Sequence, residues 1–358
     1  MPANDLGYNK GFLGKSLTFP KVNSELCVPL KDGSGYEIKY THFSIFLHRE
    51  RRLPYLAAVN IKGEAYMAPS REGNEPWDYS SQVNNEYQLD NEFYGKDENT
   101  FDRGHIVRRV DPCWGTETVS NKAERETFYW VNCTPQHKKL NQTGGVWFQL
   151  EQHIIEKGVK NKLANVSVFA GPVLDTKDLP FKKKYHNTLV KVPVSFWKII
   201  VWKKSDGNLY AVGFMMSQWE FIKDKLIPPI RIAREIKKPL PDDYFENLQF
   251  SDHKTYQVPI SSIEKATGIE FKWANVKFPY KAKPKVVKAI PLKEIHSYQQ
   301  IFAAHSTLMR TKKAVVDEKA VRNQIKKTPS LSQKGVNKMI RKGEGFLLKR
   351  YQITNNSL

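Results

Sequence analysis

"NTFDRGHIVRRVDPCWG", residues 99–115, sets a histidine directly behind an acid, an arginine and a glycine, with two further arginines just beyond. A lone histidine is ordinarily a partly buried amphipathic side chain, and a basic run ordinarily a solvated face. The chemistry on offer here is more particular. Imidazole titrates nearest neutrality, so His105 is suited to taking a proton at physiological pH. Arg103 is permanently cationic, and its planar fork of donors matches phosphate oxygens. Gly104 lets the backbone approach a neighbouring element with no side chain in the way. Phosphodiester hydrolysis asks for such groups: an activated water, positive charge against the phosphoryl oxygens, and help for the departing oxygen.

Downstream, "VNCTPQHKKLNQTGGVWFQLEQ" (131–152) brings Asn132, Gln136, Asn141 and Glu151 within about twenty residues. These are oxygen donors or hydrogen-bonding groups suited to a hard cation such as Mg²⁺. Asparagine also closes turns and caps helices. Asn132 as a turn residue and Asn141 as an N-cap are therefore the competing readings.

The 358-residue chain is long enough for one large domain with an extension, or for two domains. A 40% hydrophobic, 26% charged composition fits a soluble globular protein. Apolar stretches such as "FAGPVL" and "AVGFMM" fall far short of the roughly 20 residues that span a bilayer. No lysine-rich start followed by an apolar run opens the sequence, which favours the cytoplasm, with specialised secretion as the other route. Three widely spaced cysteines, Cys27, Cys113 and Cys133, form no C-x-x-C pair. Reduced thiols are the simpler reading, and a Cys113–Cys133 bridge the other.

Charge is unevenly spread. The net of +20 predicts attraction to polyanions. Residues 271–358 hold 20 Lys/Arg against 4 Asp/Glu, while residues 1–270 hold 37 against 33. The excess is a property of the C-terminal quarter.

Periodicity places strands around the histidine motif. "THFSIFLHRERRLPYLAAVNIKGE" (41–64) reads as a hairpin across a charged turn. "NVSVFAGPVL" reads as a short strand stopped by Gly171 and Pro172. "SFWKIIVWKKSDGNLYAVGFMMSQ" (195–218) is a hairpin about Asp206-Gly207. Trp147, Leu150 and Ile154 recur at helical spacing within Val146–Glu156. Ser261 and Glu264 form a capping-box pattern that Gly268 would close. Residues 68–98, rich in Pro, Asn, Glu and Tyr, read as a surface excursion. Lysines and prolines from about 272 read as a linker, with helical stretches at 297–310 and 320–327.

Taken in order, these segments resemble the DNA/RNA non-specific endonuclease family, the ββα-metal nucleases. "DRGH" (102–105), "NCTPQHKKLN", "WFQLE", "VFAGPVL", "FWKIIV", "AVGFMMSQ" and "VPISSIEKATGIEF" match that family's motifs in sequence order. The resemblance implies an α+β fold, a central antiparallel β-sheet flanked by helices, over residues 41–272. An irregular lead-in (1–40) precedes it and a basic extension (273–358) follows, the latter expected to bind nucleic acid or a partner. It implies a Mg²⁺-dependent enzyme, with Mn²⁺ as a substitute, that cleaves DNA and RNA with little sequence specificity and leaves 5′-phosphate and 3′-hydroxyl ends. His105 resembles the general base, Arg103 a phosphate-stabilising residue and Asn132 the amide that orients the site. Asn141 resembles the direct metal ligand and Glu151 an outer-sphere partner acting through water. Asp102 and Gly104 shape the histidine loop, and Arg108 and Arg109 are further substrate-binding candidates. The family's upstream arginine falls on Arg49, Arg51 or Arg52. "NQTGGVW" is longer than the family's usual spacing, which loosens the assignment of Glu151. The alternative reading is a catalytically silent nucleic-acid-binding protein on the same fold. Defence effector, exported toxin and housekeeping nuclease all fit this core, as does a regulatory or inhibitory protein partner.

Overall fold

The runs at 195–203 and 209–217 are apolar at nearly every position, which a strand with one wet face would not be. In the computed structural model they lie at the centre of a sheet buried on both faces. The structure describes residues 6–70, 75–94, 101–141, 147, 151, 165–176, 178–204, 206–222 and 255–278.

Eight strands form the sheet: β1 (Ile38–Tyr40), β2 (Phe43–His48), β3 (Leu53–Lys62), β6 (Asn165–Val173), β9 (Ser195–Lys203), β10 (Leu209–Ser217), β11 (Thr255–Val258) and β12 (Val276–Lys277). Their order is β1-β2-β3-β6-β9-β10-β11, with β12 beside β10. All pairs are antiparallel except β10–β12, which is parallel. β4 (Phe101–His105) and β5 (Cys133–His137) form a separate antiparallel pair, and β7 (Pro180–Tyr185) and β8 (Thr188–Lys191) another. The helices are α1 (Asn91–Tyr94), α2 (Glu117–Glu126), α3 (Lys138–Asn141), α4 (Trp219–Ile222) and α5 (Ile260–Thr267). This is an α+β architecture with a central antiparallel sheet flanked by helices.

Strand alternation assigns the two faces. Ala57, Val59, Phe196, Ile200, Val212 and Phe214 point to a face covered by Ile106, Val107, Val131, Leu140 and Trp147. Their neighbours Leu56, Ala58, Trp197, Ile199, Val201 and Ala211 point to the other face. That side is covered by Leu13 and Leu17 of the N-terminal segment, by Ile260 and Ile263 of α5, and by Phe271 and Trp273. The histidine motif thus belongs to one layer, and the two ends of the described chain to the opposite one. β1 and β12 lie outside the 41–272 span drawn from sequence, and Val28 and Val276 are buried in the core.

Both expected hairpins form, β2–β3 and β9–β10. Gly207 takes φ 73°, as the tight turn requires. Other expectations are corrected. β6 runs through Gly171 and Pro172 to Val173. Its ladder with β3 ends at Ala170, so among the described residues Pro172 sits where β6 has β9 as its only sheet neighbour and its missing N–H is tolerated. Gly171 is required because a Cβ there would stand 2.7 Å from the Tyr55 carbonyl oxygen. Ser261 does not cap α5, which starts one residue earlier behind Pro259; Glu264 instead accepts from Phe271 N. Gly268 does close the helix, at φ 69°. Residues 68–98 are more than a surface excursion, since Val83, Leu89 and Phe93 are buried. All three cysteines are free and buried.

Trp147 and Glu151 are helical and buried. The rest of the helix expected at 146–156 lies outside the described residues. The linker expected from about 272 begins inside the fold instead, since Trp273 and Val276 are buried in the core and β12 pairs with β10; its remainder and the helices expected at 297–310 and 320–327 lie outside the described residues. No helix among the described residues is long and apolar enough to cross a membrane.

Candidate active site

The site is built on β4, β5 and α3, which follows β5 without a break. β5 is tied to the central sheet by the buried amide of Gln218, just past β10. Its Oε1 accepts from His137 N at 2.8 Å, and its Nε2 donates to the carbonyls of Pro135 (3.0 Å) and Pro193 (2.7 Å). β4 pairs with β5 from Phe101↔His137 to His105↔Cys133. Arg103 and His105, two residues apart, share one face of β4. Arg103 is exposed, with Nη1 3.4 Å from Asn91 Oδ1 on α1. Gly104 faces Gln136, whose side chain lies within contact distance of where a Cβ would stand. Any larger residue would force the Gln136 side chain to move.

Asp102 reaches Asn141 at the end of α3, accepting from its Nδ2 at 3.1 Å. This bond turns the Asn141 carbonyl oxygen away from Asp102. Asn141 lies inside α3 rather than at its N-cap; its Nδ2 is engaged, and among the described residues no donor reaches its oxygen. Amide oxygen beside carboxylate suits a hard cation that keeps most of its water, as Mg²⁺ does. Among the described residues no three His, Cys, Asp or Glu side chains converge as a softer metal would need.

Asn132 is fully buried in the short 3-10 turn Trp130–Asn132. Its Oδ1 accepts from Val107 N at 2.9 Å, and its Nδ2 donates to the carbonyls of Val107 (2.8 Å) and Thr127 (2.9 Å). With these bonds made, it clamps the chain two residues past His105 and faces no substrate.

Glu151 is also committed. Its Oε1 is 2.7 Å from Lys198 Nζ, and Lys198 is 1% exposed. The same ammonium lies 4.8 Å from the centre of the Trp147 ring. Arg108 donates to the Glu151 carbonyl at 3.2 Å. Asp111 completes the group: burial pushes its carboxyl up to about 6, against the pull of Lys198, while Glu151 pushes it up and Arg108 pulls it down. Asp111, Glu151 and Lys198, all buried, and the half-buried Arg108 thus gather two acidic and two basic side chains between the histidine segment, Trp147 and β9. Arg109 points elsewhere, paired with Glu124 of α2.

Of the upstream arginines, Arg51 is bound to Asp178 at 2.7 Å and to the carbonyls of Asp175 and Lys191. Arg52 lies 5.1 Å from the Tyr185 ring, and Arg49 contacts the Cys27 carbonyl at 3.4 Å. Sequence reasoning missed Lys198, Asp111 and Trp77. A lysine in the middle of "FWKIIV" was the one available signal, because a central strand does not ordinarily bury an ammonium.

The family described as DNA/RNA non-specific endonuclease has a sequence model that matches residues 26–277. The chain is 30% identical over 279 residues to the uncharacterized protein y4fB of Sinorhizobium fredii (strain NBRC 101917 / NGR234), covering 74% of this chain and 38% of that protein. It is 27% identical over 177 residues to the mitochondrial endonuclease G of Homo sapiens and 26% to that of Bos taurus, covering 48% of each chain. A chain of the crystal structure of the EndoG/EndoGI complex overlaps it with a TM-score of 0.46 at 20% identity, over 73% of this chain and 89% of that one. The alignments span about half or less of the length of these curated relatives.

Proposed function

The chain belongs to the DNA/RNA non-specific endonuclease family, and we propose that it hydrolyses phosphodiester bonds of DNA and RNA with little sequence specificity, leaving 5′-phosphate and 3′-hydroxyl ends. The observation that carries this reading is the β4–β5–α3 unit. It holds His105 on the strand whose Asp102 orients Asn141.

His105 takes the proton of the attacking water. Arg103, exposed on the same face two residues away, meets the phosphate oxygens. Such contacts carry no base identity, hence the breadth of substrate. Asn132 holds the backbone behind the histidine. Asn141 would hold a hydrated Mg²⁺, or Mn²⁺ in its place, through its amide oxygen, with Glu151 in support from the buried cluster. The cation, when bound, supplies positive charge to the phosphoryl and departing oxygens. The basic extension, which beyond residue 278 lies outside the described residues, serves as a nucleic-acid-binding annex. Because Trp273 and Val276 pack in the core, its removal should begin after residue 278.

The test is cleavage of plasmid DNA and of RNA by wild type, H105A and N141A across a Mg²⁺ titration. General-base assistance is worth about 10²–10⁴-fold, so H105A should lose that much while keeping affinity. N141A should need more Mg²⁺. A wild type that binds both nucleic acids and cleaves neither would make the protein a silent binder instead.

A further inference from the structure

Proton abstraction requires an imidazole that presents one nitrogen in one direction. The χ2 torsion of histidine is broad and roughly two-fold, so packing has to set the ring plane. Two aromatic rings do so here. Trp77 lies against His105 with centroids 4.6 Å apart at 52°, and Phe128 meets it edge-on at 4.9 Å and 88°. Phe128 belongs to the segment leading into the Asn132 turn. Trp77 comes from outside every motif recognised in the sequence.

Trp77 is also held with more care than a half-buried surface residue requires. Trp130 stacks on it at 5.3 Å and 25°, and Tyr94 stacks on Trp130 at 5.8 Å and 5°. Phe128 meets its edge at 5.5 Å and 75°. The backbone on its C-terminal side is stitched to the same segment: Asp78 N donates to the Phe128 carbonyl (3.0 Å), and Trp130 N to the Asp78 carbonyl (2.9 Å). Arg125 of α2 clamps both neighbours, with Nη1 on the Pro76 carbonyl at 2.6 Å and Nη2 on Asp78 Oδ2 at 3.2 Å. Six separate contacts thus fix residues 76–78 so that one indole stands beside one imidazole.

The geometry points to Trp77 as a positioning residue for His105: it sets the imidazole plane and shields that side of the ring from water. The inference rests on His105 being the general base. The upper bound on its effect is the assistance His105 itself gives, and misplacing a reacting group by about 1 Å costs on the order of 100-fold. W77A should therefore lower kcat about 10–100-fold with KM on a DNA substrate changed less than about two-fold. W77F, which keeps a ring in place, should recover most of that loss.

The readouts are kcat and KM for W77A, W77F and H105A, with the His105 ring-proton resonances followed by NMR in each tryptophan variant. Loss of the indole ring current should move those resonances in W77A. If W77A does not fold, R125L releases the clamp while leaving both rings intact, and should lower kcat by a smaller factor at unchanged KM. An active wild type and a disabled H105A beside a W77A, or failing that an R125L, of unchanged kcat would overturn the positioning role. If H105A cleaves as well as wild type, the general-base reading fails. NMR then still reports whether Trp77 orders the imidazole, so the two failures are distinguishable.

Discussion

Lys198→Met is the most exacting perturbation of the buried charge cluster, because it removes an ammonium and keeps the length of the side chain. The Lys198 side chain is 1% exposed and that of Glu151 8%. Breaking a buried ion pair from one side leaves an unpaired charge and costs about 3–5 kcal/mol. The cluster also predicts how that cost varies with pH. Without Lys198, the carboxylates of Asp111 and Glu151 lose the ammonium that lies beside both. Asp111 is already held near 6 by burial, and Lys198 is the strongest influence keeping it that low. In K198M its carboxyl rises further and stays protonated to higher pH, so the penalty should be full near pH 7.5 and smaller near pH 5. A domain of this size shifts its Tm by about 2–4 °C per kcal/mol, giving a loss of about 6–20 °C at pH 7.5. Thermal unfolding by circular dichroism at both pH values measures it. The double variant K198M/E151Q, in which neither charge of the pair survives, should be more stable than K198M alone. A K198M protein within about 1 kcal/mol of wild type at pH 7.5, or a double variant no better than the single, would refute the account.

Three further outcomes follow from the same geometry. Asp111 is raised to about 6 in the folded state from about 3.9 unfolded, so the folded protein binds its proton more tightly. Its contribution to stability is full below about pH 4 and lost as pH rises through about 6. Asp178, also near 6, acts in the same sense, and His48, lowered to about 4 by burial, in the opposite one; urea unfolding of wild type against D111N at each pH isolates the Asp111 share, and equal slopes from pH 4 to 7 would contradict it. G171A sets a Cβ against the Tyr55 carbonyl, backbone that cannot step aside, so unfolding should show a loss of about 1–3 kcal/mol. N132D keeps the acceptor for Val107 N but turns a carboxylate toward the Val107 and Thr127 carbonyls; it should cost at least about 2 kcal/mol and lower kcat through the His105 backbone, and a stable, fully active N132D would exclude the clamp.

How much of this was legible in the chain depended on the range of the cause. Turn chemistry is local: Asp206-Gly207 announces its hairpin, and Gly268 its helix end, because positive φ favours glycine whatever the surroundings. Ser261 shows the limit of that reasoning. A four-residue capping pattern, Ser261 to Glu264, competes with a proline cap two residues earlier, and the proline prevails. At Gly171-Pro172 the local breaker signal misleads, because an edge position on a sheet tolerates what a central one does not.

The site divides in the same way. The sequence by itself determined the reactive residue types and their order, His105, Asn132, Asn141 and Glu151, because a motif records which side chains a chemistry needs. Tertiary structure alone decided which partners inside the protein each of them takes. Asn132 and Asn141 look alike in the chain, yet one spends its amide on Val107 and Thr127, while the other donates its Nδ2 to Asp102. Arg103 stays at the surface while Arg109 is taken by Glu124. Lys198 meets Glu151 across 47 residues, and Trp77 meets His105 from outside its motif, a pairing no periodicity encodes. Alternation along a strand says that a side chain leaves one face or the other; what waits there is set by how the layers stack, and stacking is a property of the whole core.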